Sequence, residues 1–246
     1  DFPDIRKFLL VGDSEIIKRE LDHIQPSIDE SRLELVHASQ TITMTDPSAT
    51  ALRQKKDSSI TVAAGLLKNN QADALVSAGH TGAAVAATVV KTRTLEGIER
   101  PGIAAVMPTP TGGSFLVLDV GANVDCKPHH LVQFAQLGNI YAQDLMGRER
   151  PRIGLVNIGE ESEKGNELAL EAHQRLARDP GLCFVGNIEG REIIQGSCDV
   201  LVCDGFVGNV LLKFYEASAQ FIVGYLRRHL ERAGAQLDLD AALDVL

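Results

Sequence analysis

From Leu118 to Pro128 the chain reads Leu-Asp-Val-Gly-Ala-Asn-Val-Asp-Cys-Lys-Pro, which sets the carboxylates of Asp119 and Asp125, the amide of Asn123 and the amine of Lys127 directly after an apolar run. In an open α/β sheet, ligands sit outside the carboxyl ends of the strands, so a polar cluster at that point is where a site is built. Taken alone the run reads equally well as a solvated turn. Three further runs of the same kind change its meaning.

The first of these, Ser77-Ala78-Gly79-His80-Thr81-Gly82-Ala83, follows the apolar Ala74-Leu75-Val76 and opens a stretch rich in Ala and Val. Gly79 and Gly82 would let backbone N–H groups approach an anion at a helix N-terminus, which reads as phosphate binding by Ser77, Gly79, His80, Thr81 and Gly82. The plainer alternative is a helix cap with tightly packed glycines. The second, Asn157-Ile158-Gly159-Glu160-Glu161-Ser162-Glu163-Lys164-Gly165-Asn166, offers Asn157, Lys164 and Asn166 after another strand, although its acidic residues also suit the positive end of a helix dipole. The third combines Asn187 and Glu189 with Asp204, Asn209 and Lys213, the last two four residues apart and so on one helix face.

These runs need a scaffold that brings strand ends to one rim. Short apolar stretches (7–11, 33–37, 74–77, 103–107, 115–120, 153–158, 183–188 and 200–203) alternate with helical ones (58–69, 81–92, 129–146, 164–177 and 207–232). Such alternation predicts βαβ units and a three-layer α/β/α fold with a mostly parallel sheet. The Pro-Thr-Gly stretch between 107 and 115 is short enough for a hairpin that adds one antiparallel strand, or it marks a seam between two lobes near 108–114. Otherwise the expectation is a single catalytic domain over 1–246 with a helical extension over 207–246.

Composition narrows the function classes. With 246 residues, 44% of them hydrophobic, the chain can bury a sizeable core. A formal net charge of −9 speaks against non-specific nucleic-acid binding. Cys126, Cys183, Cys198 and Cys203 form no C-x-x-C pair, and His129-His130 lacks zinc-ligand spacing, so no metal or organic cofactor is expected. Neither a signal peptide nor a spanning segment is visible, which points to a cytoplasmic protein.

Together with Arg53-Gln54-Lys55-Lys56-Asp57-Ser58-Ser59-Ile60, the four strand-end runs make the chain resemble, over essentially its whole length, the bacterial phosphate acyltransferase family. That resemblance implies transfer of a fatty acyl group from acyl carrier protein to inorganic phosphate, giving acyl phosphate for phospholipid synthesis. It also implies a fold similar to phosphotransacetylases and isocitrate or isopropylmalate dehydrogenases, a homodimer, and peripheral membrane contact. His80 stands where the family usually has Asn, and His129 where it usually has Glu. The family's Gly-Gly-Asp-His segment before Asp1 and its strand and Gly-rich segment after Leu246 are absent, so the chain reads as trimmed at both ends.

With phosphate as the nucleophile no protein Ser or Cys need be acylated, in keeping with the absence of a G-x-S-x-G elbow. Lys127, Lys164 or Lys213 would then be charge partners for the dianion. Asp119, Asp125 and Asp204 would orient those cations or handle the proton on the leaving thiol, with Asn123 a further catalytic candidate in the same run. Asn157, Asn166, Asn187, Glu189 and Asn209 are further candidates for substrate contact. The 221–230 segment joins an apolar face to basic residues, which suits a dimer interface, a membrane surface or a carrier protein. Alternatives are acyl-CoA as donor, a metal-dependent decarboxylating dehydrogenase relative, or a non-catalytic remnant.

Overall fold

The structure is a computed structural model that describes residues 4–24 and 30–232, so residues 233–246 of the expected helical extension lie outside the described part. The chain forms two compact units, residues 1–97 and 98–246. Pro108 to Gly113 is a hairpin turn inside the second.

In the first unit β1 (Phe8–Gly12) and β2 (Leu33–His37) pair in parallel, joined through α1 (Ser14–His23). α1 was not evident from the sequence, although Asp13 caps it by accepting from the N–H groups of Glu15 and Ile16. After α2 (Ser48–Gln54) come α3 (Ser59–Lys68) and α4 (Thr81–Thr92), which pack closely where Ala64, Ala83 and Ala87 are buried. The strand expected at 74–77 does not form. A strand exists through its ladder, and this segment has no ladder partner among the described residues, leaving Val76 almost fully exposed.

The second unit holds β3 (Ala104–Pro108), β4 (Ser114–Leu118), β5 (Arg152–Val156), β6 (Cys183–Ile188) and β7 (Val200–Val202) in the order β3-β4-β7-β5-β6. Among the described residues of this unit only the β3–β4 hairpin is antiparallel. Side chains alternate across the sheet. Leu116, Leu118, Val200 and Val202 meet Leu131 and Phe134 of α5 (Pro128–Asp144) and Leu176 of α6 (Glu167–Arg178). Phe115, Val117 and Leu201 face the other way, toward Leu211 and Leu212 of α7 (Gly205–Arg232). Helices on both faces explain why the central strands read as continuous apolar runs, and the expected three-layer α/β/α arrangement with a mostly parallel sheet is observed. No helix among the described residues is long and apolar enough to cross a membrane.

Candidate active site

Asp119 sits fully buried just past β4, and its carboxylate organises the loop that follows. One oxygen accepts the backbone N–H groups of Ile103, Gly121 and Ala122 at 2.9, 3.1 and 3.0 Å. The other accepts the backbone and side-chain N–H groups of Asn123 at 2.8 and 2.9 Å. Five donors use the acceptor capacity of the group, so Asp119 is a structural anion rather than a partner for a lysine. Asn123 extends the web by donating to the Pro101 carbonyl and accepting the Gly205 N–H through its own carbonyl.

That last bond docks α7 onto the loop. A Cβ on Gly205 would stand 2.8 Å from the backbone N and O of Asn123, and one on Gly208 would overlap the Asp119 carbonyl. Glycine at both positions lets the first turn of α7 lie against the loop backbone. Asp204 caps that turn by accepting the Val207 N–H at 2.9 Å, and the Asn209 amide covers Gly121.

The loop from β5 to α6 is held by two amides. Asn157 donates to the Lys164 carbonyl at 3.0 Å, and the buried Asn187 of β6 donates to the Glu161 carbonyl at 2.7 Å. With its N–H₂ so occupied, Asn187 accepts from Nδ1 of His173 at 2.9 Å, which fixes that tautomer. Gly165 has φ +103°, and a Cβ there would collide with the Asn157 amide, so the turn demands glycine. Asn166 caps α6 by accepting from Ala169 N–H. Lys164 folds its stem over Gly159 and leaves its ammonium exposed and unpaired among the described residues.

An open cleft of about 730 Å³ lies where these strand ends converge, lined by Val124, Asp125, Cys126, Asn166, Leu168, Asp204, Phe206 and Val207. Three of the residues singled out in the sequence, Asp125, Asn166 and Asp204, meet in it. Lys127 follows the wall residue Cys126 and begins α5, with an exposed ammonium that forms no ion pair among the described residues. Lys213 is on an exposed face of α7 and pairs with Glu216 at 2.9 Å. Glu189 pairs with Arg191. Ser77, Gly79, His80, Thr81 and Gly82 belong to the first unit, where Ser77 accepts the Gly79 N–H and His80 caps α4 through Nδ1. His80 therefore does the work of a capping side chain.

Over residues 3–243 the chain matches the family described as fatty acid synthesis protein. It belongs to that family. A protein named phosphate acyltransferase from Syntrophomonas wolfei subsp. wolfei is 51% identical over 217 residues, covering 88% of this chain and 67% of that protein. One of the same name from Gloeothece citriformis is 48% identical over 236 residues, covering 96% and 66%. The chain thus spans about two thirds of the length of these curated relatives. Among solved structures, a phosphotransacetylase from Streptococcus pyogenes superposes with a TM-score of 0.57 at 16% identity, covering 87% of this chain and 82% of that one. A branched-chain phosphotransacylase from Enterococcus faecalis V583 gives 0.55 at 18%, covering 83% and 82%. At such identities these likenesses concern the fold.

In this member of the fatty acid synthesis protein family one polar cluster was not evident from the sequence. The Glu99 carboxylate faces Nε2 of both His129 and His130, at 3.0 and 3.1 Å. Hydrogen bonds from His129 and then His130 hold Glu99 below the usual carboxylate range. Two imidazoles and a carboxylate have the composition of a metal site, but the donor set does not fit one. Nδ1 of His130 accepts the Lys127 N–H at 3.0 Å, so a neutral ring carries its proton on Nε2, the nitrogen a metal would need. The sequence signal that could have located the cluster is a hydrogen-bonding side chain three residues after the Lys127 cap.

In the cleft, burial disfavours the thiolate of Cys126. Burial pushes Cys126 up to about 11 and Cys198 up to about 12, and raises Cys203 as well.

Proposed function

We propose that the protein is a phosphate acyltransferase that moves a fatty acyl group from an acyl carrier protein thioester to inorganic phosphate, yielding acyl phosphate. The cleft at the carboxyl ends of β4, β5 and β7 carries this reading. Its polar residues Asp125, Asn166 and Asp204 stand beside the apolar Val124, Leu168, Phe206 and Val207, a mixed lining that suits a thioester bearing an acyl chain. The names of the relatives point to the same reaction class.

In this mechanism an oxygen of HPO₄²⁻ attacks the thioester carbonyl, a C–O bond forms, and collapse of the tetrahedral intermediate breaks the C–S bond. The proton lost by phosphate ends on the departing thiol. A dianion placed beside two carboxylates needs nearby positive charge, and the ammoniums of Lys127 and Lys164, unpaired among the described residues, supply it. Asp125 or Asp204 relays the proton to sulfur, while Asp119 and Asn123 hold the loop that bears Lys127. Asn157 and Asn187 set the Lys164 loop. Lys213, Glu189 and Asn209 have secondary parts at most, since each is engaged in contacts of its own.

For the first unit, the proposal is that Ser77, Gly79, His80, Thr81 and Gly82 contribute to anion binding through the N-terminus of α4. A homodimer and peripheral membrane contact of a cytoplasmic enzyme complete the reading, supported by the exposed Phe221, Ile222, Tyr225 and Leu226 of α7.

The test is acyl phosphate formation by the purified chain with acyl carrier protein thioester and phosphate. Parallel reactions with acyl-CoA distinguish the two donors. Phosphate-independent thiol release, or no turnover with either donor, would refute the proposal.

A further inference from the structure

Arg100 brings a positive charge to the cleft wall that the proposed chemistry leaves unused. Residues 99–103 run beside the loop that leaves β4 and are tied to it repeatedly. The Ile103 N–H donates to Asp119, the Pro101 carbonyl accepts from Asn123, and Glu99 bonds His129 and His130 at the start of α5. Between these anchors the Arg100 guanidinium donates through Nη1 to the backbone carbonyl of Asp125 at 2.7 Å. Both ends of the side chain are thereby held, the backbone by the flanking bonds and the head by the wall residue. Asp125 and Cys126 line the cleft, and the Cys126 thiol, raised above all by burial, is drawn down by the charge of Arg100.

Four other arginines of this unit are satisfied by carboxylates. Arg148 and Arg152 pair with Asp199, Arg175 with Glu171, and Arg191 with Glu189 and Glu160. Arg100 forms no ion pair among the described residues, and at Asp125 it binds the carbonyl and not the carboxylate. Glu99, its neighbour in the chain, is taken by the two histidines. A guanidinium carries five N–H donors and the Asp125 carbonyl uses one of them, so a charged, planar fork remains for an anion.

We infer that Arg100 is a phosphate-binding residue of the cleft: one N–H of its guanidinium stays on the Asp125 carbonyl and the others receive phosphate oxygens. This rests on the reading that phosphate is the acyl acceptor in this cleft. A dianion arriving beside the carboxylates of Asp125 and Asp204 is repelled by both. A guanidinium matches phosphate with paired N–H···O bonds, and one already tethered loses less freedom on binding than an untethered lysine. Lys127 and Lys164 then add charge around an anion that Arg100 orients.

The experiment measures kcat, KM for phosphate, KM for the acyl donor and the unfolding midpoint in wild type, R100K, R100Q and R100A. R100Q should raise KM for phosphate about tenfold or more, as expected when a charge-assisted hydrogen bond is lost, and keep KM for the acyl donor within about threefold of wild type. Its unfolding midpoint should stay close to wild type, because the side chain is exposed and gives up a single hydrogen bond. R100K keeps the charge without the fork and should fall between wild type and R100Q. Added methylguanidinium should lower the phosphate KM of R100A about threefold or more and leave wild type unchanged. A wild-type KM for phosphate in R100Q would overturn the assignment. So would equal losses in R100K and R100Q, or a loss that follows the acyl-donor KM and the unfolding midpoint.

Titration with inorganic phosphate, followed by the rise in melting temperature, reads binding without turnover. The phosphate concentration that gives a set rise should be about tenfold or more higher in R100Q than in wild type. Equal responses in the two proteins would overturn the role of Arg100. Absence of turnover with either acyl donor would instead strike the proposed reaction, leaving this titration to decide on Arg100.

Discussion

Gly208 of α7 faces the backbone carbonyl of Asp119 so closely that a Cβ at that position would overlap it. The contact places the start of a 28-residue helix against the loop whose backbone N–H groups Asp119 gathers. Two elements more than eighty residues apart in the chain thus share one polar junction at the foot of the cleft.

G208A should lower stability by about 2 kcal/mol or more, because the obstruction is backbone and cannot rotate away. G224A is the control: nothing lies within 4 Å of its Cβ, and alanine improves helix propensity, so stability should stay equal or rise by up to about 1 kcal/mol. Denaturant unfolding of both variants checks the pair, and equal losses would show that the Asp119 contact is not the cause.

D119N should cost about 2–3 kcal/mol although it changes one atom, since its new N–H₂ must face backbone N–H donors wherever it points. Activity should fall with stability as the 119–123 loop loosens. Unfolding midpoints together with turnover test this, and an unchanged midpoint would contradict the five-donor arrangement.

K127A should reduce phosphate-dependent thiol release by about a hundredfold or more while leaving the unfolding midpoint close to wild type. The ammonium is exposed and unpaired among the described residues, so its removal breaks no ion pair. Wild-type turnover in the variant would remove Lys127 from the mechanism.

Initial-velocity patterns should be sequential, with both substrates bound before release of thiol, and mass spectrometry should detect no acyl-enzyme. With the Cys126 thiol pushed up to about 11, chiefly by burial, iodoacetamide should label it slowly at neutral pH. Ping-pong kinetics would require a protein nucleophile and overturn direct attack by phosphate.

In the first unit the hydrogen bond from Lys55 at 2.6 Å, helped by the Thr43 N–H, lowers Asp46 from 3.8 to about 2. A lowered folded-state pKa adds stability above the unfolded value. That contribution is lost as pH falls from about 4 through about 2. Carboxyl NMR should find Asp46 titrating near 2 in wild type and closer to 3.8 in K55M. An unchanged value in K55M would exclude Lys55 as the main cause.

Much of this protein was written in local pattern. Apolar runs a few residues long, alternating with helical stretches, determine a mostly parallel sheet covered on both faces, and Asp, Asn or Lys follow three of those runs, at 115–120, 153–158 and 200–203. The Gly165 turn and the caps by Asn166 and Asp204 are likewise local, since turns and caps are made by neighbours in sequence. The tertiary structure alone decided how each side chain is spent. Asp119 looks like a catalytic acid in sequence, yet donors from Ile103 and from its own loop occupy it; Lys213 looks like a site cation, yet it pairs with Glu216. The 74–77 segment has strand composition but no ladder partner among the described residues, and Glu99 meets His130 from 31 residues away. Hydrogen bonds saturate, so the role of a polar residue depends on which donors and acceptors the fold brings to it, and that cannot be read from its neighbours in the chain.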